Sequence, residues 1–166
     1  MQTRPPFYWQ IFTLLPLVLA GCASSVIVPE GVEVAPVGPA HVLEADVHDG
    51  ELVVWGGQIV EVENLAERTI LVVASFPLDG SDRPRWTEEA GVRFIAEQGG
   101  FLEPLTFAPG RFVTLMGRVD GTEQRAVGEF DYRHPRLLTE EIYLWPADPY
   151  LWGGQVRWNF GLGVSL

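Results

Sequence analysis

The chain has 166 residues, with 22 acids against 11 bases, a formal net charge of -11 and 47% hydrophobic residues. That apolar fraction suits one folded domain and excludes wholesale disorder. The charge balance argues against a basic nucleic-acid surface, and a single Cys excludes both an intrachain disulfide and a Cys-rich zinc site.

Met1–Arg4 carries one positive charge, and Phe7–Ala20 is apolar apart from Gln10 and Thr13. The run is interrupted by Pro16 and falls short of the ~20 residues a spanning helix needs. A short apolar run behind a positive start predicts a secretory signal peptide. It ends in Leu19-Ala20-Gly21-Cys22, and this ending resembles the lipobox of bacterial lipoprotein precursors. The resemblance implies cleavage between Gly21 and Cys22 by signal peptidase II. It also implies a diacylglycerol on the Cys22 thiol and a further acyl chain, such as palmitate, on the new amino terminus. The alternative is an ordinary signal peptide followed by a chance Cys. One acyl chain binds a bilayer weakly, whereas several anchor it stably. Acylation also blocks the only thiol, so no cysteine nucleophile is expected. Ala23 follows the lipobox where Asp would favour the inner membrane. By the same resemblance, the expected partner is outer-membrane lipid of a Gram-negative bacterium, with the leaflet left open.

Ala23–Ala40 contains Pro29, Pro36 and Pro39 and shows no helical period. It predicts a tether. From Ala23 to Glu67 there are nine acids and no base. An acidic tether is repelled by an anionic surface and would hold a domain off the bilayer. The organisation expected is therefore a cleaved signal peptide over 1–21, a lipidated terminus and tether over 22–40, and one domain over 41–166.

Beyond the tether the signals are strand-like. In Ile59–Asn64, Val60 and Val62 alternate with Glu61 and Glu63. Ile70–Phe76 is a continuous β-branched and apolar run suited to a strand buried on both faces or bent around a barrel. Val92–Ala96 is a short candidate. In Phe112–Val119, Val113, Leu115, Gly117 and Val119 share one face. Arg125–Arg133 alternates with one exception, Val127, and Ile142–Trp145 is a further short strand. Gly57, Gly117 and Gly128 suggest bulges or tight bends. Trp-Gly-Gly-Gln occurs twice, at Trp55–Gln58 and Trp152–Gln155, and Gln155–Phe160 alternates as a half-buried strand. Short strands separated by Gly/Pro/Asp turns predict an all-β fold, best fitted by an OB-like barrel of five to six strands; a small β-sandwich is the alternative.

Several motifs recur in one order behind the lipobox. They are Val54-Trp55-Gly56-Gly57-Gln58-Ile59-Val60, Pro77-Leu78-Asp79, Gly100-Phe101-Leu102-Glu103-Pro104, Pro109-Gly110-Arg111-Phe112-Val113-Thr114, Gly128-Glu129-Phe130-Asp131-Tyr132-Arg133-His134-Pro135 and Tyr143-Leu144-Trp145-Pro146. Together they resemble the Slp family of starvation-inducible outer-membrane lipoproteins, from Cys22 to about Pro146. The resemblance implies an envelope protein of nutrient stress or stationary phase, with no established catalytic activity.

The three His, at 41, 48 and 134, lack the close spacing of a metal site. There is no G-x-S-x-G, P-loop or G-x-G-x-x-G, so neither enzyme chemistry nor a cofactor is expected. Aromatic residues are dense for so small a domain. Trp55, Tyr132, Tyr143 and Trp145 are candidates for a face that stacks a ligand or partner, as OB barrels do; the alternative is that they fill the core. Two functions follow from this reading. One is a non-catalytic envelope lipoprotein acting through a protein partner. The other is a module that binds a glycan, peptide or small molecule on an aromatic face.

Overall fold

The computed structural model describes residues 24–45 and 48–153. A short helix α1 (Pro39–Glu44) precedes five strands: β1 (Leu52–Asn64), β2 (Arg68–Ser75), β3 (Arg93–Gly99), β4 (Phe112–Val127) and β5 (Phe130–Leu144). The sheet closes on itself in the order β1-β2-β3-β5-β4, antiparallel except for the β3–β5 pair. This is an OB-like barrel with five strands. Because β1 pairs with β4 and β3 with β5, no pair of stacked open sheets exists, and the sandwich alternative does not hold.

The interior is filled. Val53, Trp55 and Ile59 of β1 meet Leu71 and Val73 of β2, Phe94 and Ala96 of β3, and Val113, Leu115 and Val119 of β4. The alternation in Phe112–Val119 therefore gives the interior face as read. β1 differs. Ile59 pairs with Val73 and Glu61 with Val72, so Val60 is an extra, bulged residue. The bulge lets Ile59 and Val62, three residues apart, both reach the core. Val60 and Val62 do not form the continuous face that strict alternation predicts.

Arg125–Arg133 is not one strand. Val127 pairs with Phe130 across a two-residue turn, and Gly128 takes the left-handed φ of 65° that the turn requires. The reversal falls where the alternation failed, at Val127. Phe112–Val119 and the residues up to Val127 form one long strand, and Ile142–Trp145 marks the end of another.

Two strand glycines allow the ring to close. A Cβ on Gly57 would lie 1.9 Å from the Ala74 carbonyl oxygen, and one on Gly117 would lie 2.2 Å from that of Leu138. Each sits beside a register shift, at Val60 in β1 and between Met116 and Gly117 in the β4–β5 pair.

The segment before β1 has no regular structure as far as Gly38, yet it lies on the barrel. The Ala35 amide donates to the Leu52 carbonyl (2.7 Å), and Trp55 Nε1 donates to the Val37 carbonyl (2.6 Å). Pro39 opens α1, where a missing amide costs nothing, and Val42 is buried in the core. Six residues are too few to show a helical period, so the sequence hides this helix.

The loop between β2 and β3 is organised by Asp79. Its carboxylate accepts from the Ser81 and Arg83 amides (2.8 and 3.1 Å) and from Arg83 Nε (2.9 Å). Burial alone would push this carboxyl up; the hydrogen bonds and the Arg83 charge outweigh it and hold it below the ordinary 3.8. The loop covers the outer face of β4, where Phe112, Trp145 and Trp152 form a second apolar cluster with Phe76, Trp86 and Tyr143. Residues 155–160, the expected C-terminal strand, lie outside the described residues, as does Cys22.

Gly57→Ala and Gly117→Ala are expected to lose at least about 2 kcal/mol of unfolding free energy in urea, because backbone must move. Gly99→Ala, with nothing within 4 Å of the added carbon, is the control and should change little. Asp79→Asn tests the loop. A lowered native pKa stabilises the fold above about pH 4, and that contribution is lost as pH falls through the native value. The variant should lose about 1 kcal/mol near neutral pH. The deficit should shrink below pH 3; an equal deficit at pH 6 and pH 2.5 would exclude the ionised capping role.

Candidate ligand cleft

Beyond Val119 the β4–β5 hairpin leaves the barrel as an arm. Ile70, Val72 and Ile95 point outward by alternation, opposite Leu71, Val73, Phe94 and Ala96, yet all three are buried. The arm reaches over Val72: Arg125, Ala126 and His134 line one small cavity together with Glu61 and Val72. An ion-pair chain fastens it. Arg136 contacts Glu97 (3.0 Å), Asp120 (3.2 Å) and Glu123 (3.4 Å), and Glu97 also meets Arg68 (3.6 Å). Arg125 contacts Glu123 and Glu63, both at 3.1 Å. Burial would pull the Arg125 guanidinium down, but the two carboxylates hold it above its ordinary value. These seven residues come from all five strands.

The outer face of β2 and β3, the usual ligand face of an OB barrel, is therefore taken up in part by the chain itself. The four aromatic candidates do not form one face. Trp55 is inside the barrel, its ring edge-on to Phe94 at 5.2 Å. Tyr143 and Trp145 are together, 4.8 Å apart, in the outer cluster of β4. Trp145 is buried, and its Nε1 donates to Thr114 Oγ1 (2.9 Å). Tyr132 alone is open, 54% exposed on the arm.

Tyr132 borders a cleft of about 410 Å³ between the end of α1, the start of β3 and the first half of β5. Its other walls are Leu43, Val92, Arg93, Arg133 and His134. Arg133 donates to the Leu43 carbonyl, which ties α1 to the arm. His134 is buried, with Nδ1 3.0 Å from the Tyr132 carbonyl oxygen. That contact requires the proton on Nδ1, so Nε2 is the ring nitrogen left for other partners.

The arginines single this cleft out. Among the nine arginines of the described residues, Arg68, Arg83, Arg85, Arg118, Arg125 and Arg136 pair with carboxylates. Arg111 instead donates to the carbonyls of Thr106 and Trp145, both at 2.9 Å. The remaining two, Arg93 and Arg133, line this cleft. In so acidic a chain, two arginines without a carboxylate beside an open Tyr form a site suited to an oxyanion. Guanidinium forks match carboxylate or phosphate geometry, and the Tyr132 ring with Leu43 and Val92 offers apolar contact to the rest of a ligand. The sequence did not reveal Arg93 or Arg133: nothing local separates them from the paired arginines. His41 and His48 stand elsewhere. His41 Nδ1 accepts from the Gly38 amide (3.0 Å), and His48 Nδ1 lies 3.2 Å from a Glu51 carboxylate oxygen.

Among the described residues, no helix is long and apolar enough to cross a membrane. The family model described as "Outer membrane lipoprotein Slp family" matches residues 19–158, which carries the likeness past Pro146. The uncharacterized lipoprotein YeaY of Escherichia coli is 30% identical over 161 residues, covering 87% of this chain and 81% of the relative. The outer membrane protein Slp of Escherichia coli is 25% identical over 115 residues, covering 69% and 61%. An uncharacterized Haemophilus influenzae protein is 30% identical over 114 residues, covering 63% and 61%. The chain thus spans about three-fifths of the length of the last two relatives. The match over most of its length, from within the lipobox to beyond the barrel, shows that this chain is an outer-membrane lipoprotein and belongs to the Slp family.

Proposed function

We propose that the protein is a non-catalytic envelope component of starved or stationary-phase cells, anchored in outer-membrane lipid through acyl chains on Cys22. Its barrel presents a binding cleft for an oxyanion-bearing ligand, small or carried by an envelope protein partner. The observation that carries this reading is the meeting of Arg93 and Arg133, neither paired with a carboxylate among the described residues, with Tyr132 in one cleft. Among the described residues, the cleft lining contains no Ser, Thr, Cys, Asp or Glu. Within that lining His134 meets no hydroxyl or thiol nucleophile to activate, which supports binding rather than covalent chemistry. The anchor is supported by the position of Cys22, the only thiol, at the end of the lipobox.

Cys22→Ser should leave an unprocessed precursor that takes up no radiolabelled palmitate. Normal processing and labelling of that variant would remove the anchor from this reading. The cleft is tested by calorimetry on the detergent-solubilised mature protein, with phenyl phosphate and benzoate as probes and benzyl alcohol as the neutral control. At least one anion should bind while the alcohol does not. Arg93→Ala and Arg133→Ala should each weaken binding about tenfold, roughly 1.4 kcal/mol. Arg85→Ala, remote and paired with Glu88, should not. Equal affinity for the alcohol, or arginine variants that bind as before, would overturn the cleft.

A further inference from the structure

The segment that follows Cys22 enters the barrel at one defined place. The Ser25 hydroxyl donates to the Asp82 carboxylate, while the Ile27 and Val28 amides donate back to Ser25 Oγ (3.2 and 2.7 Å). Asp82 is fixed in turn, since its carbonyl accepts from Thr114 Oγ1 on β4 (2.7 Å). Ser25 follows Cys22 by three positions, a reach of at most about 11 Å. Whatever holds Cys22 therefore lies close to this face of the barrel.

The same neighbourhood carries apolar side chains turned outward. Val26 is 36% exposed, Tyr150 82% and Leu151 56%. Arg83, next to Asp82, donates to the Trp152 carbonyl (3.1 Å), so the segment with Tyr150 and Leu151 is tied to the loop that receives Ser25. Trp86 of that loop packs edge-on against Tyr150 at 5.3 Å. Trp and Tyr with an apolar body and a polar tip are the residues that settle at the membrane–water interface. The acids of this face are largely engaged: Asp79 with Arg83, Glu88 with Arg85, and Asp82 with Ser25.

We propose that the face bearing Val26, Trp86, Tyr150 and Leu151 rests in the headgroup region of the bilayer that holds the acyl anchor. The barrel is then docked on the membrane in one orientation and does not hang from a spacer. This rests on acylation of Cys22. It replaces the expectation of an acidic tether that holds the domain away: the acids are there, but the chain folds onto the barrel within three residues of the anchor. A few side chains at the interface add little to the affinity of several acyl chains; their effect is to orient.

The test uses the full acylated protein reconstituted into phosphatidylethanolamine–phosphatidylglycerol vesicles. Because acylation blocks Cys22, an introduced cysteine is the only reactive thiol. Leu151→Cys is labelled with an environment-sensitive fluorophore, and Glu129→Cys, at the tip of the arm, serves as control. Lipids carrying a nitroxide near the headgroup should quench the Leu151 label at least about threefold more than the Glu129 label, with a blue-shifted emission. Vesicle flotation, measured in parallel, reports the anchor alone. If the protein fails to float, the anchor fails. If it floats with both labels equally exposed, the docking proposal is overturned while the anchor stands. A Leu151 label already shielded without lipid would point to a second copy of the chain on this face and would also overturn it.

Discussion

Closing only five strands into a ring around a Trp is the constraint from which the rest of this structure follows. Trp55 sits inside, with its indole nitrogen satisfied by the Val37 carbonyl and its ring edge-on to Phe94. To enclose so large a side chain with so few strands, the sheet must coil strongly. It does so where backbone can approach backbone, at Gly57 against Ala74 and at Gly117 against Leu138, and where an extra residue relieves the register, as at Val60. The Trp55 hydrogen bond also explains why the irregular segment before β1 belongs to the fold. Without the Val37 carbonyl, a buried indole N–H would lack a partner, which costs about 1–3 kcal/mol.

Strong coiling also determines what becomes of the long β4–β5 hairpin. It continues past Val119 and reaches over Val72 on the outer face of β2, where Ile70, and Ile95 on β3, are buried as well. Each ion pair in the chain from Arg68 to Glu63 is partly exposed, and singly each would contribute little. Linked through Glu97, Arg136, Glu123 and Arg125, they tie the arm to β2, which the backbone ladder does not join to it, as well as to β1 and β3. The arm thereby closes part of the surface on which such barrels commonly hold ligands and opens another at its own edge, against the end of α1. Most arginines are used in holding the structure together. Arg93 and Arg133 pair with no carboxylate among the described residues, and their shared position gives the cleft its charge.

The sequence showed most where one periodicity met one environment. Phe112–Val119 alternates because its interior face meets the core without interruption. It misled where the backbone changes phase. Val60 is bulged, so a pattern read as one apolar face is two faces joined by a slip. In Arg125–Arg133 the alternation persists through a turn, because the two arms of a hairpin carry the same period, and only Val127 betrayed the reversal. The aromatic candidates show a different limit. Composition reveals that Trp and Tyr are abundant. Which of them fill the ring, seal the outside of β4 or remain open is set by contacts between residues far apart in sequence, such as Trp145 with Thr114 and Trp86 with Tyr150. The motifs Pro77-Leu78-Asp79 and Tyr143-Leu144-Trp145-Pro146 are now intelligible as parts of one surface. The Asp79 loop and the end of β5 close over the start of β4 from either side.

That surface and the cleft lie toward opposite ends of β5. Tyr143 is near one end and Tyr132 near the other, a distance along the strand of up to about 35 Å, less what the bulges and coiling take back. The segment from Ser25 to Leu43 runs between them, bound to Asp82 at its start, to Leu52 and Trp55 in its middle, and to Arg133 at its end. On the docked orientation, the loop and the Tyr150–Leu151 segment that cover the apolar cluster of β4 face lipid, and the arginine cleft faces the aqueous side. A cationic cleft turned toward lipid would meet anionic headgroups first; turned away, it is open to a dissolved ligand or to an oxyanion presented by another envelope protein. The net negative charge of the rest of the chain then acts as a filter, since an anion that binds must gain more from the two guanidinium groups than it loses approaching an acidic surface. Ligands with a concentrated charge and an apolar body to set against Tyr132, Leu43 and Val92 meet that condition, and extended polyanions do not.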